Sequence, residues 1–522
     1  VRITGTVDSY ASIAINAGGS TEFAAGSQTL AGDAIVVRTG DDIVIGTGAL
    51  LQSARDPALS TDPADPFSGL GSIDLHAGGL TNLLSTPVTP IASLVVAGTL
   101  DAGRGAVIAR ANAIDGLDGS FAASSLSFDI DNAPASGVAL SDDNGLLAAP
   151  CLEGNVCLGS IAADNVIAIG QASGNDVIAL TIEQGTVNAR EIRITTRNDI
   201  VMGSNGIATT LNASDLFSAV SRTGDVDLRD AAIASGQIVI EAAGSLLGSA
   251  ALSSTGDIGI TVGQDINAAQ IAAGRELTSA AGVGGGLEGL FRTPGDFRVG
   301  QVSAGSGSID YRAGGDIVIG GVAPPGGAAA FTAGGLAQID VVATGADLRV
   351  EAARIVLGDV LANSVNLLSA GDILVDHAET VTDFTAIAGL AFTTSLNSII
   401  TGGDIVIDAG GPVALGNSSA GGLIDVNASQ IDFATLVAGD TVTLLTEPSG
   451  QTAFGNGNVT GDSLTAGAGA SSITSTFGSV TIAGDTTIGG GLSVVADADI
   501  ALGAINVLGG NLLANAGGDI AI

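Results

Sequence analysis

The sequence predicts an all-β fold, a right-handed parallel β-helix (β-solenoid) wound from rungs of roughly 20 residues. Three observations predict it. A glycine–aspartate–aliphatic string recurs along the chain, apolar strand centres return at a regular step, and the composition trades large core side chains for small and β-branched ones.

Composition sets the limits first. The 522 residues include 79 glycines, no tryptophan, one methionine (Met202) and only 3% aromatics. Globular cores fill irregular gaps with rings and thioethers, so an interior without them must be narrow and regular. All 16 basic residues are arginine against 53 acids, a net charge of −37. Such a surface repels nucleic acid and anionic membranes, while 46% hydrophobic content excludes disorder. No run of 18 apolar residues occurs, so no transmembrane helix is expected. Val1 begins directly in strand-like sequence without a signal peptide, and Ile522 falls inside the recurring string. Both ends are expected to be cuts in a longer polypeptide.

The string reads "AGGDIVIGG" at 313–321, with variants at 39–46, 370–376, 402–411 and 517–522. Gly314 and Gly315 are expected to take a corner through positive φ and close backbone approach. Asp316 is expected to bond nearby backbone N–H groups, as Asx-turns do. Ile317 and Ile319 then point inward around Val318. The same reading covers Gly403, Asp404, Ile405 and Ile407, Asp42 with Ile43 and Ile45, and Asp372 with Ile373 and Val375. The aliphatics should stack one coil apart in ladders of identical side chains. Each buried isoleucine contributes about 1.5–3 kcal/mol, so stability accumulates coil by coil.

Periodicity places the strands. Centres at Ile194, Leu216, Ile238, Ile258 and Leu277 step by 22, 22, 20 and 19, and a second series at Ile200, Val226, Leu246 and Ile266 steps by 26, 20 and 20. Short alternating segments at that period mark a solenoid, and the leucine-rich-repeat frame is absent. With coils about 4.8 Å apart, some 20 of them make a shaft on the order of 100 Å long. Residues 1–522 read as one continuous shaft. Five stretches break the rhythm and are expected to protrude as loops: 52–70, 129–160, 281–297, 322–331 and 446–461. Proline clusters there do not fit central ladders, and these stretches hold much of the phenylalanine.

The only cysteines, Cys151 and Cys157, lie in "PCLEGNVCLG". The spacing does not suit a redox C-x-x-C or, alone, a zinc site. A local disulfide is expected, contributing about 2 kcal/mol and indicating an oxidising compartment.

Other motifs weigh less. "GDDIVIGTG" (40–48) and "RNDIVMGSNG" (197–206) resemble a calcium nonapeptide but do not continue at its nine-residue step. No cofactor is expected beyond loose divalent-cation binding to so acidic a surface. His76 and His377 have no ligand-spaced partner. "RTGDV" (222–226) reads as a rung corner, not an adhesion tripeptide, and the scattered arginines form no basic patch. A polysaccharide-cleaving groove would need polar residues on adjacent coils ringed by aromatics. The aspartates recur singly at corners, so no enzymatic activity is expected.

The irregular rungs, the "GGDIVI"-type corners and the richness in alanine, glycine and threonine resemble filamentous-haemagglutinin-type proteins, exported by two-partner (type Vb) secretion. The resemblance covers essentially the whole chain. It implies a secreted or cell-surface fibre of a Gram-negative bacterium, an outer-membrane secretion partner, and a host-cell or biofilm ligand. It implies a stiff shaft presenting a distal binding or effector element in adhesion or biofilm formation. The family's N-P-N-type secretion motifs are absent, so it is the repeat shaft that is matched. A self-assembling filament or sheath subunit is the alternative, and a polysaccharide-acting enzyme a more distant one.

Overall fold

The computed structural model describes all residues except 54–70, 79–91, 131–154, 171–176, 183–184, 204–208, 274–276, 282–294, 305–307, 324–326, 396–398 and 448–456. Among the described residues there is no helix. The fold is a parallel β-solenoid of about 20 turns with rungs of ~21 residues. Two compact units divide it, one built on Val1–Ile271, the other on Glu288–Ile522 with Ala272–Val283.

Each coil of the first unit feeds three columns of parallel strands. One column stacks Ile43, Leu94, Ile114, Val156, Leu180, Ile200, Val226, Leu246 and Ile266. The second runs through Leu51, Leu100 and Phe121, and the third through Ile35, Ile73, Val107, Leu126 and Ile167. Inward positions alternate with outward ones, as in Ile13–Ala17 and Ala34–Thr39, because strand side chains alternate faces. The apolar residues of the three columns meet in the middle and form the core.

The second unit repeats the plan. Phe297, Ile317, Ala337, Ile355, Ile373 and Phe392 stack in one column. Phe384, Ile405, Ile424 and Val442 stack in another, and Val302, Val322, Val342 and Val360 in the third. The ladders are apolar; some are of identical side chains, as the sequence leads one to expect (Val302, Val322, Val342 and Val360; Ile355 and Ile373; Ile405 and Ile424), and others are mixed. In the mixed columns residues of different size share one stack, as Phe297, Ile317 and Ala337 do, and neighbouring side chains must then fill the remaining volume of a close-packed core. Rings fill the gaps: Phe297 and Tyr311 lie 4.2 Å apart between centroids, and Tyr311 and Phe331 5.8 Å.

Of the stretches expected as loops, residues 54–70, 131–154, 282–294, 324–326 and 448–456 lie outside the described residues. Their flanks belong to the solenoid. Asn155–Leu158 is a strand, and Phe331 and Val459 sit inside Ala329–Ala343 and Val459–Ala466. Phe297 and Phe331 are buried core residues. The ladder closes across the first stretch: Leu51 pairs with Leu100, and beside it Gln52 donates to Asp101 over 49 residues.

Candidate functional site

The corner string does something that its local sequence does not reveal. The Asp316 carboxylate accepts the N–H of Leu336 at 2.8 Å, 20 residues on, and the Asp316 N–H donates to Asp296 at 2.9 Å. At the second copy, Asp404 N–H donates to Asp383 at 3.0 Å and the Asp404 carboxylate accepts Leu423 N–H at 2.9 Å. Each carboxylate reaches the equivalent backbone position of the following coil, not its own turn as an Asx-turn would. Buried or half-buried N–H groups need such a partner, and at a corner no strand supplies one.

The glycines follow from that bond. Neither Gly314, Gly315 nor Gly403 has positive φ, so the expected left-handed corner is absent at these positions. Close approach is the requirement. A Cβ on Gly315 would come within 3.0 Å of the Asp296 carboxylate, and one on Gly403 equally close to Asp383. Gly precedes Asp because the previous coil's Asp needs the room.

The two copies occupy different corners. Ile317 and Ile319 stand in the column of Phe297 and Val299, Ile405 and Ile407 in that of Phe384 and Ala386. All four isoleucines are at most 1% exposed. The string is a corner solution used wherever the chain needs one, so its copies keep no fixed spacing.

The same bonding absorbs the calcium-like strings. Asp42 accepts Ser93 N–H at 2.8 Å, and Asp199 accepts Asp225 N–H at 2.9 Å. In "RTGDV", Asp225 accepts Ser245 N–H at 2.6 Å, which makes it a rung corner. His76 is paired in register with Arg38 and Arg110, and His377 lies 3.2 Å from Glu379. Cys157 is buried and disulfide-bonded; Cys151 lies outside the described residues.

A concave site appears where the corner string is missing. In the first unit, one strand from each of five successive coils, Ser120–Ile130, Ile161–Ile169, Gly185–Thr196, Thr209–Ser221 and Ala232–Ala242, runs unbroken from the second column into the third. Register shifts at Ala123/Ser125, Ala162/Val166, Ala189/Glu191 and Ala213/Leu216 bend them there, as β-bulges do. The bend encloses a trough of about 510 Å³. Ala163, Ala189 and Ala213 form its floor, with exposed Asn188, Asn212 and Arg190 beside them.

Asn212 Nδ2 donates to Asn188 Oδ1 at 2.8 Å. The Arg190 guanidinium lies 3.0 Å from Asp215 and 3.5 Å from Glu191. Hydrogen bonding from Arg193 first, with Arg190 adding to it, holds Glu191 below the usual carboxylate range. The second unit has a smaller cavity of about 460 Å³ over Phe433, edged by Asp432 and Asp462. The trough went unread in the sequence, although "VNA" (187–189) and "LNA" (211–213) repeat its asparagine at one rung position.

No protein-family model, curated protein or solved structure matches the chain.

Proposed function

We propose that this chain is the repeat scaffold of a secreted bacterial surface protein of the filamentous-haemagglutinin type, holding a recognition or effector element away from the cell in adhesion or biofilm formation. One observation carries the reading: the corner carboxylates, the most regular polar groups of the sequence, are bonded to backbone N–H groups of the next coil. Acids engaged in this way hold coils together, which spends them on the scaffold and not on a ligand. Support also comes from the coil-by-coil architecture, which lets a chain gain turns without redesigning its core. Exposed acids such as Asp164 and Glu241 face water and keep neighbouring copies apart within about 8 Å at physiological salt. An outer-membrane secretion partner and a host-cell or biofilm ligand belong to this proposal, and no catalytic step does.

Deleting residues 405–423 removes one turn, since Ile405 and Ile424 are partners in register. Cells displaying the full-length protein with this deletion should adhere with unchanged affinity per molecule at shorter reach. A fall in affinity in proportion to the turns removed would refute the scaffold role. Protease treatment of intact producing cells should cleave the chain; complete protection, with the chain recovered only from the cytosol, would refute the surface location.

A further inference from the structure

We propose that the trough in the first unit is a binding site for an uncharged linear glycan lying across successive coils. This goes beyond the scaffold reading and does not depend on it.

Hydrogen-bonding capacity is the first argument. Asn188 uses Oδ1 and Asn212 uses Nδ2 in their mutual bond, which leaves Asn188 Nδ2 as a donor and Asn212 Oδ1 as an acceptor. The exposed carboxylate of Asp164 adds acceptors, and the hydroxyl of Thr255 serves as either. Donors and acceptors so interleaved suit a ligand whose every group both gives and takes a hydrogen bond, as a sugar hydroxyl does.

Charge selects further. Arg190, the one cation among the described residues that line the trough, is already held between Asp215 and Glu191, and Asp164 adds another negative charge. An anionic polysaccharide would meet net repulsion there, and an uncharged one would not.

Backbone use argues against an extended peptide. Asn188 pairs in register with Ala162 and Asn212, and Asn212 with Ala234. The strands that floor the trough therefore present no free edge for strand addition. Recognition must come from side chains, which recur about every 4.8 Å along the stack, close to the length of one pyranose ring. The alanine floor offers a shallow apolar surface to a sugar face.

The test is calorimetric titration of the whole chain with neutral di-, tetra- and hexasaccharides of β-1,4-, β-1,3- and α-1,6-linked glucose, alongside oligogalacturonate, heparin fragments and an unstructured hexapeptide. At least one neutral series should bind, more tightly as its length grows from two to six sugars. Asn188→Ala/Asn212→Ala should weaken that binding at least tenfold, and Asp164→Asn several-fold, with the far-ultraviolet spectrum unchanged because these side chains are exposed. Asn427→Ala, on an outer face of the other unit, should leave binding intact. Absence of binding by every neutral series, preference for the acidic glycans or the peptide, or indifference to Asn188→Ala/Asn212→Ala would each overturn the proposal.

Discussion

Replacing Gly335 by alanine should be costly only while Asp316 is present. The Asp316 carboxylate accepts the Leu336 N–H at 2.8 Å, and a Cβ on Gly335 would sit within 3.0 Å of that same oxygen. The next atoms it would meet, Gly315 C and O, are at an ordinary 3.4 Å. Gly335→Ala therefore turns the carboxylate away and leaves a half-buried amide unpaired, a loss of about 2 kcal/mol. That corresponds to roughly 30-fold faster local opening.

Asp316→Ala alone should cost a similar amount, because the amide again loses its partner. In the Asp316→Ala background the obstacle is gone, and Gly→Ala restricts the unfolded chain, worth about 0.5 kcal/mol in the opposite direction. The two substitutions should thus be coupled by about 2.5 kcal/mol. Hydrogen exchange of peptides covering Ala329–Ala343, in the parent and the three variants, measures this locally and avoids assuming two-state unfolding of a repeat chain. Equal costs of Gly335→Ala in both backgrounds would refute the reasoning.

Further outcomes follow from neighbouring contacts. Gly461→Val should destabilise the second unit by about 1–3 kcal/mol, since a Cβ there would strike the Phe433 ring; adding Phe433→Leu should recover most of the loss in chemical denaturation. Ile317→Ala should cost about 2–5 kcal/mol, with exchange accelerating most in the coils of Phe297 and Ala337 that flank it. The Asp316 N–H first, and Arg298 in addition, hold Asp296 below the usual carboxylate range. Its ionised form therefore stabilises the fold above about pH 4, and that contribution disappears as pH falls through the lowered value. Asp296→Asn should flatten the acid limb of a stability–pH curve. Partial burial first, and the nearby Asp408 second, push Asp425 up. Its contribution is favourable at low pH and lost as pH rises through the raised value, so Asp425→Asn should raise the midpoint of denaturation at pH 7 and not at pH 3.

Much of the architecture was legible because apolar spacing carries it. The series Ile200, Val226, Leu246 and Ile266 is the observed register, residue for residue, and Ile238 pairs with Ile258. Leu216 was misplaced. It is only half-buried, and its neighbour Phe217 pairs with Ile192 and Ile238 in the core. The bulge between Ala213 and Leu216 shifts the inward phase, and two adjacent apolar residues give period-2 reading nothing to choose between. The aspartate role was half legible. Hydrogen bonding to backbone follows from residue type, but a partner 20 residues away depends on stacking that no local string encodes. The trough was hidden for the same reason, since its walls come from several coils and its shape from bulges.

A cysteine-pair experiment on the outer face of the second unit decides whether successive turns stack in the observed register. Asn366 and Thr385 are partners on adjacent coils, and Thr385 has Val406 on its other side. Oxidation should link Asn366→Cys to Thr385→Cys quantitatively, because neighbouring parallel strands lie about 4.8 Å apart, a separation that suits a disulfide. The pair Asn366→Cys/Ile387→Cys, two residues out of step, should stay reduced. Equal linking of both pairs, or linking of the offset pair alone, would contradict the stacked-coil structure and the corner bonds that depend on it.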